Sequence, residues 1–154
     1  MDFVVEKATE LGVSRIVPLV TERTLGGADR LGKVSRWRRL AEAAAQQCGR
    51  ATVPAVDAPV EWLRFVPAAL EQGTLLVPWE LAPPEPLNAV LPRVLSTGGA
   101  LTIAIGPEGG LSHDEVEIAR AAGATVVSLG NRILRTETAG LVAISAVRYA
   151  AGEL

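Results

Sequence analysis

The sequence predicts an α/β fold: a mainly parallel sheet flanked by helices. Three observations lead there. Apolar runs of strand length alternate with segments of helical periodicity, and short connections join them. The run "ALTIAIG" (residues 100–106) has no polar alternation apart from Thr102, the pattern of a strand covered on both faces. The chain has 154 residues, enough for one compact domain with its own core.

The elements follow in order. "MDFVVEKATELG" places Phe3, Val4, Lys7, Ala8 and Leu11 at helical spacing, with Gly12 as the stop. "RIVPLV" (15–20) reads as a short strand, and "TERTLGGADRLGK" (21–33) as a loop rich in glycine and charge. From Val34 to Arg50, Trp37, Leu40, Ala41, Ala44, Ala45 and Cys48 form one helical stripe. Cys48 is therefore expected in the core. Arg36, Arg39, Gln46, Gln47 and Arg50 lie on the other face. "VEWLRFVPAALEQG" (60–73) reads as a helix interrupted at Pro67.

"TLLVPWE" (74–80) is a strand, and "LAPPEP" (81–86) a loop marked by Pro83, Pro84 and Pro86. Residues 87–97 form a helix, and residues 100–106 the strand described above. In "LSHDEVEIARAAG" Ser112 is the helix N-cap, Glu115 its capping-box partner and Gly123 the stop. "TVVSLG" (125–130) is a strand, and the last helix spans about Thr136 to Ala151. Trp62 and Trp79 are expected in the core, although either could stack on a base. His113, in the first turn of its helix, faces solvent.

Composition narrows the function. The net charge of -2 excludes a protein basic throughout, although thirteen Arg against two Lys is an uneven choice of cations. Arg suits bidentate phosphate contacts, and a GC-rich genome produces the same bias. Cys48 and His113 are each the sole residue of their kind, so neither an internal disulfide nor an ordinary zinc site is expected. No apolar run approaches the roughly 18 residues of a membrane span. The first residues lack the basic segment of a signal peptide, so a cytoplasmic protein is expected.

Chemistry is expected beyond the carboxyl ends of the strands, where parallel sheets collect ligands. Two glycine-bearing loops lie there, "IGPEGGLS" (105–112) and "LGNRILRTETA" (129–139), each ending at a helix start. "GPEGG" lacks the Lys-Ser/Thr of a P-loop and is not GxGxxG. Glu108 would repel a phosphate, so a neutral or cationic ligand fits better. A plain tight turn, with Pro107 fixing φ, is the alternative. A nicotinamide-dependent oxidoreductase is disfavoured, because no glycine fingerprint follows the first strand.

Taken together, "KATELGVSRIVPLVTERT", "GPEGGLS" and above all "LGNRILRTETA" resemble the bacterial 16S ribosomal RNA uridine-N3 methyltransferases, the RsmE family of the SPOUT superfamily. The resemblance covers nearly the whole chain. The family commonly has Glu-Gln where this sequence has Gln46-Gln47. Its members also carry an N-terminal β-barrel RNA-binding domain of the PUA type, so this chain is expected to be the catalytic domain alone.

The resemblance implies an α/β domain with a C-terminal trefoil knot that binds S-adenosyl-L-methionine at a homodimer interface and methylates N3 of a uridine in 16S rRNA of the small subunit. It implies cofactor contacts from Ile105, Gly106, Pro107, Glu108, Gly109 and Gly110 and from Leu129, Gly130, Ile133, Leu134, Arg135, Thr136, Thr138 and Ala139. The loop around Leu76 to Glu80 forms a third wall. Thr136 and Thr138 could equally be capping residues.

For catalysis the expected residues are Arg135 and Arg132, then Arg23, as donors to the flanking oxygens of the deprotonated base. Glu137 acts either as a base or by orienting Arg135. The arginines could instead pair with Glu137, Glu108 or Glu22, or meet RNA phosphates. Arg23, Arg36, Arg39 and Arg50 are the expected RNA contacts. For the last three, a plain solvated face is the more common reading of such a pattern. The final helix, with Leu141, Val142, Ile144, Val147 and Tyr149, is expected to be buried in the fold or against a second subunit. Other readings are a SPOUT enzyme for another RNA position and a cofactor-binding dimerisation module without activity.

Overall fold

A computed structural model describes residues 1–25, 30–81 and 85–154. Residues 26–29 of the loop expected over 21–33, and Pro83 and Pro84 of the proline loop, lie outside the described residues, and residues 30–33 belong to a helix rather than to that loop. Among the described residues the fold is α/β, with six helices and short parallel sheets.

Its centre is a three-stranded sheet ordered β6-β5-β7, built from β5 (Gly73–Pro78), β6 (Ala100–Ile103) and β7 (Thr125–Val127), with every pairing parallel. In β5 Leu75, Leu76 and Val77 are each no more than 1% exposed. Side chains alternate across a strand. Leu75 and Val77 therefore enter a core with α3 (Trp62–Gln72) and α5 (His113–Ala122), and Leu76 enters another with α4 (Leu87–Ser96) and α6 (Thr136–Ala150). Burying one such side chain stabilises by about 1.5–3 kcal/mol. The chain leaves β5 for α4 on one face and leaves the neighbouring β6 for α5 on the other. That change of face opens a crevice at the carboxyl ends of the two strands.

The N-terminal part packs α1 (Asp2–Glu10) on α2 (Arg30–Gln47) around Val5, Val34, Trp37 and Ala41. The Trp37 indole donates to Asp2 Oδ1 at 3.0 Å. The face buried on α1 is Val5, Ala8 and Thr9, rotated from the expected stripe, and Phe3 is 52% exposed. Thr9 turns inward because its hydroxyl donates to the Val5 carbonyl at 2.7 Å, which satisfies a buried polar atom within the helix.

"RIVPLV" is two strands rather than one. β1 (Arg15–Ile16) pairs with β3 (Ala55–Val56), and β2 (Leu19–Val20) pairs with β4 (Val60–Glu61). Pro18 has no N–H for the ladder and separates them. Its carbonyl still accepts from Val60 N at 2.9 Å.

Three further expectations change. α3 runs through Pro67 without a break, since that residue and Leu63, whose carbonyl loses its helical donor, are both exposed. Cys48 lies past the end of α2 and is exposed, so it is not a core residue. β6 is an edge strand that is only half-buried, not covered on both faces. Trp62 and Trp79 are buried and His113 is exposed, as expected. Among the described residues no helix is long and apolar enough to cross a membrane, and no cluster of His, Cys, Asp and Glu could hold a metal.

Candidate functional site

Because the three central strands are parallel, the segments after β5, β6 and β7 leave the same end of the sheet. The segment after β6 is tightly made. Gly110 N donates to the Pro107 carbonyl at 2.8 Å, and Gly110 takes φ +71, which a side chain would strain. A Cβ on Gly110 would stand 2.6 Å from Glu80 Oε1, so the loop after β6 and the end of the β5 segment touch across the crevice. Ser112 and Glu115 form the capping box that the sequence predicts, and Gly123 ends the helix in a left-handed conformation.

Arg23 reaches this loop from 86 residues away and donates to the Gly109 carbonyl at 3.0 Å. Its stem covers Gly109 closely, because a Cβ there would stand 3.2 Å from Arg23 Cβ. The Trp79 indole donates to the Leu111 carbonyl at 3.3 Å, and His113 packs edge-on against the same ring, 4.9 Å between centroids.

The segment after β7 is looser. The Ser128 hydroxyl accepts from Gly130 N at 3.2 Å, and Gly130 takes φ +111. Ile133 is 86% exposed, and Arg132 and Arg135 are exposed. Arg135 is the N-cap of α6, and no side chain caps that end. Thr136 and Thr138 therefore do not cap the helix, and its first N–H groups remain open to a ligand. Among the described residues no ion pair joins Arg23, Arg132 or Arg135 to Glu22, Glu108 or Glu137.

An open cleft of about 1280 Å³ runs along α1, residues 11–19 and β6, and part of the two loops lines one stretch of it. Ile105, Gly106, Pro107 and Glu108 line it from one side, and Thr136, Glu137, Gly140 and Ile144 from the start of α6. Gly140 lies against Ile105: a Cβ there would stand in ordinary contact with Ile105 Cγ1, at 3.7 Å. Gly109, Gly110, Leu129, Gly130, Arg132, Ile133, Leu134, Arg135, Thr138 and Ala139 lie outside this lining.

Leu76 offers no wall. It is 1% exposed and packs among Leu87, Val90, Leu91, Val94 and Val127, so Glu80 is the exposed end of that segment. The expected basic face on α2 is also broken up. Arg50 Nη1 donates to the Thr9 and Val13 carbonyls, at 2.7 and 2.9 Å, tying down the end of α1. Arg36 pairs with Asp2, an exposed contact of the kind worth about 1 kcal/mol or less, and Arg39 is exposed.

Sequence reasoning missed Gly140 and Ile144 as lining residues. Only Gly140 carried a local signal, a lone glycine in an otherwise helical run.

The fold and the crevice define a class: an α/β domain with two glycine-bearing loops at the carboxyl end of a parallel sheet. The RNA methyltransferase domain model matches residues 1–148, and the chain belongs to that family. It is 35% identical over 144 residues to the ribosomal RNA small subunit methyltransferase E of Synechocystis, covering 94% of this chain and 47% of that protein. It is 32% identical over 155 residues to the protein of the same name from Bacillus subtilis, covering 97% and 60%. A crystal structure of a ribosomal RNA small subunit methyltransferase E from Neisseria gonorrhoeae, bound to S-adenosyl methionine, superposes with a TM-score of 0.83 at 33% identity, covering 97% of this chain and 60% of that one. The chain thus spans about half to three-fifths of the length of these relatives.

Proposed function

We propose that this domain is the catalytic unit of an S-adenosyl-L-methionine-dependent methyltransferase that modifies N3 of a uridine in 16S rRNA of the small ribosomal subunit, in the cytoplasm. The observation that carries the reading is the cleft lined jointly by Ile105–Glu108 and by Thr136, Glu137 and Gly140. Its chemistry fits the methyl donor. Ile105, Pro107 and Ile144 are apolar, and the two loops contribute the carboxylates of Glu108 and Glu137, while Arg15, Lys33, Arg36 and Arg148 line the cleft from other segments. The part that the two loops supply suits a cationic sulfonium. Gly109 and Gly110 form a cradle in which added Cβ atoms would crowd Arg23 and Glu80. When bound, S-adenosylmethionine supplies a methyl group on a sulfonium that becomes neutral as the methyl leaves.

The chain's own residues position and polarise the acceptor. Uracil N3 must lose its proton before it can attack, and the negative charge then spreads over the two flanking oxygens. Arg135 and Arg132, exposed in the segment that leads into α6 and without ion-pair partners among the described residues, are assigned to stabilise that charge. Glu137, at the mouth of α6, accepts the N3 proton or orients Arg135. Arg23 is assigned to the loop rather than to the base, because its guanidinium holds Gly109. Holding donor and acceptor in line supplies much of the rate.

The same reading includes a trefoil knot and a homodimer. The knot is supported by the path of α6, which follows β7 yet packs Gly140 on Ile105 beyond β6. The dimer is supported by apolar surface that one protomer leaves open: Val142 is 40% exposed, Tyr149 78% and Phe3 52%. A β-barrel RNA-binding domain like that of the family would add substrate affinity, with Arg36 and Arg39 contributing from this domain.

Calorimetric titration with S-adenosylmethionine tests the assignment. Saturable binding is expected, and loss of binding in Gly109→Val. Absence of binding by the unaltered chain would contradict it.

A further inference from the structure

Glu115 is only 7% exposed, yet it lies in the first turn of a helix whose other acid there, Asp114, faces water. A capping box needs one of its oxygens. Oε2 takes that role and accepts from Ser112 N at 2.9 Å. Oε1 does something else. It accepts from Glu22 N at 2.8 Å, across 93 residues of sequence. Glu22 belongs to the short segment Thr21–Thr24, which closes on itself: Thr21 N donates to Thr24 Oγ1 at 2.8 Å, and the two hydroxyls lie 2.7 Å apart. The next residue, Arg23, returns to the glycine loop and donates to the Gly109 carbonyl at 3.0 Å. One closed circuit thus runs from Glu115 through Glu22 and Arg23 to Gly109, and back along the chain to Ser112. The Glu115 carbonyl is also engaged, accepting from the buried Trp62 indole at 2.9 Å.

From this circuit we infer that Glu115 is a positioning residue for ligand binding: it fixes the Thr21–Thr24 segment so that Arg23 holds the Gly109–Gly110 turn in its binding geometry. The inference rests on the proposed function, because that turn is taken as a wall of the methyl donor's site. Glu115 touches neither donor nor acceptor and acts through Arg23. A carboxylate suits this position because its two oxygens can each accept from a backbone N–H pointing in from a different segment. A glutamine would turn one acceptor into a donor facing an N–H, and one limb of the circuit would open.

The test separates positioning from helix capping. Ser112→Ala removes only the hydroxyl end of the capping box and leaves both carboxylate bonds in place. Glu115→Gln leaves one oxygen for the two facing N–H groups, so the bridge to Glu22 or the bond to Ser112 N is lost. S-adenosylmethionine affinity is measured by calorimetry for the unaltered chain, for Ser112→Ala, Glu115→Gln and Arg23→Ala, and for the Glu115→Gln/Arg23→Ala pair. The expected result is a loss of about tenfold in Glu115→Gln and in Arg23→Ala, no further loss in the pair, and a change under about twofold in Ser112→Ala, even though its melting temperature falls. Additive losses in the pair, or equal affinity losses in Ser112→Ala and Glu115→Gln, would overturn the positioning role.

Amide hydrogen exchange on the ligand-free chain provides a second readout, independent of the cofactor. Glu115→Gln should speed exchange at Glu22, Gly109 and Gly110, and Ser112→Ala should leave those amides unchanged. Unaltered protection in Glu115→Gln would overturn the circuit itself. An unaltered chain that fails to bind S-adenosylmethionine would overturn the functional reading and the ligand-binding role with it.

Discussion

Between Ile105 and Ser112 the chain is held by the Gly110–Pro107 turn, by Arg23 on the Gly109 carbonyl and by the Ser112–Glu115 capping box. Between Leu129 and Arg135 it is held by the Ser128–Gly130 contacts, and Asn131 to Leu134 make no hydrogen bond among the described residues. The two loops leave the same end of one parallel sheet and both start at glycine-bearing turns, yet one is pre-formed and the other is open. The difference suggests a division of work. The pre-formed loop is a fixed wall, whose geometry is set before any ligand arrives and costs little to order on binding. The open loop carries Arg132, Arg135 and Ile133 in solvent, where they can close over a ligand or meet a second subunit.

The largest effect expected from this contrast is on Arg135. Arg135→Ala should lower methyl transfer by about 10²–10³, the loss typical of removing a donor to a developing anion. Its melting temperature should be unchanged, because the side chain is exposed and makes no ion pair among the described residues. Near-normal turnover would remove Arg135 from the mechanism. In the fixed loop, Gly109→Val should weaken S-adenosylmethionine binding by at least about tenfold, or 1.4 kcal/mol. The added side chain must displace the Arg23 stem that now covers Gly109. Unchanged affinity would reduce GPEGG to a structural turn.

Stability should separate the two loops more gently. Gly110→Ala forces a Cβ into φ +71 against Glu80 and should cost about 1–2 kcal/mol in chemical denaturation. Ile133→Ser, at a residue 86% exposed, should shift the stability of the isolated protomer by no more than about 0.5 kcal/mol. Equal losses from the two substitutions would erase the distinction between a fixed and an open loop.

Sequence alone revealed those features whose causes are local. The capping box at Ser112 and Glu115, the stop at Gly123, the presence of strands β5 to β7 and the start of α6 at Thr136 each depend on neighbours within a few residues, and the structure has them, although β6 and β7 are shorter than expected and β6 is only half-buried. Features that depend on distant partners were hidden. Pro18 divides one apolar run into two strands because those strands pair with residues some forty positions on, in "PAVDAPVE", which has no strand pattern of its own. Leu76 reads as a wall residue, but the alternation of β5 turns it into the core beneath α4. Arg50 reads as a surface cation, but the open carbonyls at the end of α1 take it up. In the site, the glycine loops were legible as motifs. The bonds that brace the first of them, Arg23 to Gly109 and Glu115 to Glu22, join segments 86 and 93 residues apart, and no periodicity announces them.

The central claim is that these two loops together deliver a methyl group to a base nitrogen of ribosomal RNA. Its most direct test is mass mapping of undermethylated small subunits after incubation with S-adenosylmethionine and this domain, supplied with and without a family RNA-binding domain. The account predicts one added methyl group on the uracil ring of a single 16S rRNA uridine, lost in Arg135→Ala. A methyl group on a ribose hydroxyl, or RNA left unmodified in both arms by a domain that binds the donor, would contradict it.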